Sequence, residues 1–193
     1  MLIPFGILSA AGAGGGVSTA SDYELISTTT LANNSSSQVQ FTSGGVWSAY
    51  RHLQLRIVAR EYWVSGSPTG SNLKITLNNT GTTYRSHNLR GNGTNVASGD
   101  TASNAIFNRN PISTSTSSSE FGAMVVDILD INSSTKNKTM RSLGAMVFSY
   151  GNWIELASAA RFETNAITSI EVIGNAGNLG SGTRVSLYGI KGD

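Results

Sequence analysis

Cysteine is absent from this chain of 193 residues. Disulfide staples, thiolate zinc sites and cysteine nucleophiles are excluded together, and the redox compartment stays open because a chain without thiols is indifferent to it. Charge is scarce as well. Acidic and basic side chains supply 12% of the residues, against about a quarter in an average globular domain. Thirteen basic and eleven acidic residues leave a net charge of +2, and the nearest basic cluster, Lys136, Lys138 and Arg141, is interrupted by polar residues. Recognition of nucleic acid by phosphate neutralisation needs a denser patch, so no nucleic-acid partner is expected. The two histidines, His52 and His87, lack metal-ligand spacing, so neither a metal nor another cofactor is expected. No apolar run is long enough to span a bilayer, and no membrane partner is expected.

What is present is small and polar. Ser, Thr, Asn and Gly make up close to half of the chain, and the 39% apolar residues come in short bursts, as many short strands require. Strands are expected at Tyr23–Leu31, Gln38–Phe41, His52–Trp63, Asn72–Asn78, Phe121–Ile131, Lys138–Tyr150, Trp153–Leu156, Ile167–Ile173 and Thr183–Ile190. Two short polar strands are added at Thr82–Leu89 and Ala102–Phe107. The clearest is His52–Trp63, where Leu53, Leu55, Ile57 and Ala59 alternate with Gln54, Arg56 and Arg60. Apolar residues on both faces of Phe121–Ile131 predict a strand whose second face is also covered. Asn108–Ser119 reads as irregular, Gly151-Asn152 as a tight hairpin turn and Ala157–Arg161 as one helical turn at most. The fold class that follows is all-β: a two-sheet antiparallel sandwich of jelly-roll type, with an extended N-terminal arm.

Residues 1–21 form that arm and 22–193 the sandwich domain. Leu2, Ile3, Pro4, Phe5, Ile7 and Leu8 are apolar, lack the basic residues that open a secretory signal, and precede a glycine-rich hinge at Gly12–Gly16. They are the residues expected to bind a partner.

No catalytic set emerges. Asp127 and Asp130 are three residues apart on an expected strand, which puts them on opposite faces where they cannot flank a substrate. Asp127 is expected to pair with an arginine instead. No serine sits in a Gly-x-Ser-x-Gly elbow. The glycine-rich Gly174–Gly180 lies between strands, where helix amides are missing for a phosphate. Tyr62, Trp63, Tyr84 and His87 are the residue types that stack on and hydrogen-bond to sugars, so they form the candidate glycan surface.

The chain closes on Arg184-Val185-Ser186-Leu187-Tyr188-Gly189-Ile190-Lys191-Gly192. Residues Gly180 to Gly192 resemble the closing strands of jelly-roll structural proteins of tailed bacteriophages, where a GSRFSLYGIKG-like terminus recurs, with Thr183 and Val185 departing from that pattern. The resemblance implies a non-enzymatic virion protein, a homotrimer that decorates or cements the particle by binding the major capsid protein or another virion protein. The alternative it implies is a receptor-binding fibre, spike or adaptor that reads host-surface glycans.

Overall fold

The computed structural model describes residues 22–62, 69–79, 84–103, 107–114, 119–148, 151–175 and 177–192. The arm residues Leu2, Ile3, Pro4, Phe5, Ile7 and Leu8, and Trp63, lie outside them. The described chain is all-β, with thirteen strands and a single 3-10 turn at Val46–Ala49. In chain order they are β1 (Tyr23–Thr30), β2 (Gln38–Thr42), β3 (His52–Tyr62), β4 (Thr69–Leu77), β5 (Tyr84–Gly91), β6 (Val96–Ser103) and β7 (Phe107–Thr114). Then come β8 (Gly122–Leu129), β9 (Lys138–Phe148), β10 (Gly151–Arg161), β11 (Ser169–Ile173), β12 (Asn178–Leu179) and β13 (Arg184–Ile190).

They build two antiparallel sheets. The larger runs β1-β13-β3-β8-β9-β10-β5-β6. The smaller runs β2-β11-β4-β7. They join where the end of β3 runs parallel to β7, Arg60 opposite Ser113, and pairs with β12. The core lies between the sheets. Leu53, Leu55 and Ile57 of β3 and Val126 and Ile128 of β8 face Leu73, Ile75, Ile170 and Val172 of the smaller sheet, each at 2% exposure or less.

Period two in His52–Trp63 is realised: Leu53, Leu55, Ile57 and Ala59 point inward, while Arg56 and Val58 point out. Other expectations are corrected. β7 occupies most of the segment read as irregular, because it pairs along β4 despite Pro111 and its run of Asn, Ser and Thr. Ala157–Arg161 is the end of β10, a central strand paired on both sides, with Ala157, Ala159 and Arg161 facing the interior. Gly151 and Asn152 belong to β10, opposite Phe148 and Val147, so these two residues are strand rather than turn.

The terminal segment shows why its glycines stand where they do. A Cβ on Gly180 would meet the Arg60 guanidinium at 2.7 Å, and one on Gly189 would meet the Tyr50 ring at 2.4 Å. Both are places where a side chain from the Tyr50–Arg60 stretch lies across bare backbone. Thr183 is fully buried and its hydroxyl bridges the backbone N–H and C=O of Arg60, at 3.3 and 3.4 Å. Lys191 pairs with Glu24 at 2.5 Å, and Glu24 also accepts from the Tyr50 hydroxyl at 2.8 Å. The terminus is thereby clipped to β1 and to the entry of β3.

Candidate functional site: the outer face of the large sheet

Antiparallel register lines up outward-pointing residues of neighbouring strands into transverse rows. One row reads Arg56, Val125, Leu143, Leu156 and Leu89 across β3, β8, β9, β10 and β5. The row beside it reads Val58, Ala123, Ala145 and Ile154. Val58, Val125, Leu143, Ile154, Leu156 and Leu89 are between 39% and 56% exposed. Isolated apolar side chains on a surface are ordinary, but a contiguous block of them marks a contact surface.

Within this block lies a groove of about 470 Å3. Ala123 and Ala145 are its small residues, between Val58 and Tyr188 on one side and Leu143 and Ile154 on the other. Arg56 and Arg184 also line it; the Arg56 guanidinium lies 4.5 Å from the Tyr188 ring centre, and its Nε donates to the Gln54 side-chain oxygen at 3.0 Å.

The third row is polar: Gln54, Asp127, Arg141, Ser158, His87 and Asp100. Asp127 has the arginine expected of it, accepting from Arg141 Nε at 2.7 Å and from Gln54 at 2.8 Å, on the outer face rather than in the interior. Asp130 follows β8 with φ of 51°, pairs with Lys136 at 3.1 Å and Arg51 at 3.3 Å, and receives no part in a site. The Lys136 contact holds its carboxyl below the ordinary range, with Arg51 acting in the same direction and partial burial opposing both.

A second concavity of about 460 Å3 opens beside this row, lined by Arg85, His87, Asp100, Thr139, Ser158 and Ala160. Phe162, 48% exposed, stands at its margin with the Arg85 guanidinium 5.9 Å from its ring centre. The register thus sets a serine, a histidine and an aspartate side by side. None of the three is hydrogen-bonded to another; β5 and β10 are paired on both sides, which commits backbone N–H groups an oxyanion would need, and β6 is the edge of the sheet. The arrangement offers donors and acceptors to a ligand rather than an activated nucleophile.

Of the expected glycan residues that are described, Tyr62, Tyr84 and His87, only His87 reaches this concavity. Tyr84 is fully buried, and its hydroxyl accepts the Leu77 N–H at 2.9 Å, which removes its ring from any ligand-facing surface. Burial pushes its phenol pKa up. Tyr84 and His87 are three residues apart on one strand, so they face opposite sides. Tyr62 is half-buried at the far end of β3, opposite Asn178. The partners that do surround His87 come from β6, β9 and β10; inter-strand register brings them there, and no spacing within one segment signals it.

The buried cations are structural. Lys138 is fully buried and donates to the carbonyls of Ser133, Lys136 at 3.1 Å and Thr164 at 3.0 Å, while Arg161 opposite it pairs with Glu163. Burial, and then the Arg161 charge, hold the Lys138 ammonium pKa below its usual value. Among the described residues no three His, Asp or Glu side chains gather closely enough to hold a metal ion, and no helix is long and apolar enough to cross a membrane. Comparison with protein-family models, curated proteins and solved structures returned no match.

Proposed function

We propose that this chain is a non-enzymatic structural subunit of a phage virion, a decoration or cement protein that acts by binding copies of itself, as a trimer, and neighbouring capsid proteins. The observation that carries the reading is the apolar block on the outer face of the large sheet. Covering the exposed halves of Val58, Val125, Leu143, Ile154 and Leu156 contributes about 4 kcal/mol gross, taking half of the lower figure for each side chain. That is enough to hold an assembly in which many copies act together, and too exposed an investment for a lone domain.

Strand order supports the jelly-roll form of the sandwich. Eight strands taken in chain order are β1, β2, β3, β4, β7, β8, β11 and β13. They pair first with last (β1·β13), second with seventh (β2·β11), third with sixth (β3·β8) and fourth with fifth (β4·β7). One long hairpin rolled upon itself gives that pairing. The hairpins β5–β6 and β9–β10 then widen one sheet, and the widened part carries most of the apolar block. Because jelly rolls serve many functions, the fold alone does not argue for a role; the apolar face supports assembly, and the virion setting rests on the resemblance of the terminal segment.

Light scattering on the full chain should give the mass of a trimer, and Leu143→Lys with Ile154→Lys should give a monomer of unchanged circular dichroism. A monomeric parent chain would overturn the assembly reading. Quantitative mass spectrometry of purified particles should find copies commensurate with the capsid lattice; absence from the particle would overturn the virion setting.

A second reading has its own observation. The concavity at His87, with Arg85, Asp100, Ser158 and Thr139 around an apolar floor and Phe162 alongside, has the mixed character that suits a sugar ring. In a receptor-binding module this would read host glycans. Glycan-array binding lost on both Arg85→Ala and His87→Ala would favour it, and an array without reproducible binding would discard it.

A further inference from the structure

We infer that the groove between Val58 and Ile154 is the seat of the apolar N-terminal segment Leu2–Leu8 of a neighbouring copy. The inference rests on the assembly reading and adds which parts of two copies meet. The segment suits the site chemically. From Leu2 to Ser21 the chain carries no charged or histidine side chain, so the segment itself brings no ionic group to be desolvated into a groove walled by Val58, Leu143 and Ile154, with Arg56 and Arg184 on the β3–β13 side. The rim cation Arg56 is already held by Tyr188 and Gln54, and an incoming neutral segment strips no partner from it.

Reach supports the same occupant. The described chain starts beside Tyr23, on the edge strand of the sheet that bears the groove, where Asp22 accepts the Lys191 N–H at 3.0 Å. The register Thr30↔Arg184↔Val58 puts the groove seven residues further along the strand direction and, from Val58 on β3 to Ile154 on β10, two to five strands inward. That is about 23 Å along and about 10–24 Å across. The connection Ser9–Ser21, rich in glycine, spans up to about 43 Å when extended, which is ample for its own groove and sufficient for an abutting one.

The neighbour's groove is preferred for a reason of symmetry. A segment at one place on the surface and a groove at another form a heterologous pair, and heterologous pairs close into rings such as a trimer. A segment seated in its own groove would instead cap the apolar face and leave the assembly without its contact.

The absence of cysteine allows a clean test in the full chain. Ile7→Cys combined with Ala145→Cys places one thiol on the segment and one in the groove, at an exposed position. A short bismaleimide should join them between copies, giving dimer and trimer bands at a rate about tenfold or more above a control pair, Ile7→Cys with Thr42→Cys on the smaller sheet. Phe5→Ser with Ile7→Ser should raise the fluorescence of a dye that binds apolar surface. Crosslinking at the control rate, crosslinks only within one chain, or dye fluorescence unchanged by the serine variant would overturn the inference. Light scattering separates the two failures: a trimer without the inter-copy crosslink refutes only the seat of the segment, whereas a monomer refutes the assembly reading beneath it.

Discussion

Replacing Gly189 with alanine should destabilise the protein far more than adding one methyl group to a strand suggests. The new Cβ would lie 2.4 to 2.5 Å from three atoms of the Tyr50 ring. That ring cannot simply tilt, because it is 8% exposed and its hydroxyl is tied to Glu24 at 2.8 Å. Overpacking of this kind costs about 1–3 kcal/mol. A ring driven off its site also forfeits the bond to the Glu24 carboxylate, which adds to the loss. Against this stands the gain of about 0.5–1 kcal/mol for alanine over glycine in a strand. The net is a loss of about 1–3 kcal/mol, or about 2–12 °C of melting temperature in a domain of this size. The assay is a thermal melt of the parent, Gly189→Ala, Tyr50→Ala and the double variant. Once Tyr50 is truncated the obstacle is gone, so Gly189→Ala should be neutral or stabilising in that background. A Gly189→Ala melt within about 2 °C of the parent, or additive losses in the double variant, would refute the argument.

Other perturbations test the interior and its charges. Lys138→Met removes the donor shared by three carbonyls and should cost about 2–4 kcal/mol in urea unfolding, the relief of burying an ammonium offsetting part of the loss. Leu55→Ala, between Leu187 and Val126 in the core, should cost about 2–5 kcal/mol by lowering the urea midpoint with little change in slope. Asp130 has its folded pKa held below the ordinary 3.8, so its stabilising effect is present above that pH and lost as pH falls through the folded value. Asp130→Asn tolerates the same positive φ and should flatten the acid limb of a stability–pH profile; an unchanged limb would mean the ion pairs contribute nothing.

How much of this was legible in the sequence depends on where each signal resides. Leu53, Leu55, Ile57 and Ala59 declare their strand because one face is dry and the other wet, and alternation records that difference. β7 gives no such record: its residues are mostly polar, and it is a strand because β4 offers a pairing edge along its length. Ala157–Arg161 misleads for a related reason, since alanine favours helices in isolation but fits a strand flanked by two others. Of the candidate site, His87 was visible as a residue type and Arg85 shares its face two residues away on β5, whereas its company of Asp100, Ser158 and Thr139 is produced by register. Tyr84 looked like a ligand-stacking ring because an aromatic residue carries no mark of which way it faces. Even the apolar block is scattered in sequence, one or two residues from each of five strands, and becomes a surface only when the strands are laid side by side.

The place of β13 has a consequence for the making of the protein. β13, last in chain order among the described strands, lies between β1, the first, and β3, hydrogen-bonded to both. Until Arg184–Ile190 emerge, the facing edges of β1 and β3 have no partner, and the growing chain holds two open strand edges that invite pairing with other nascent chains. The larger sheet can therefore close only once β13 has been synthesised, and a chain cut short before Arg184 would carry those open edges into aggregation rather than fold as a shorter functional product.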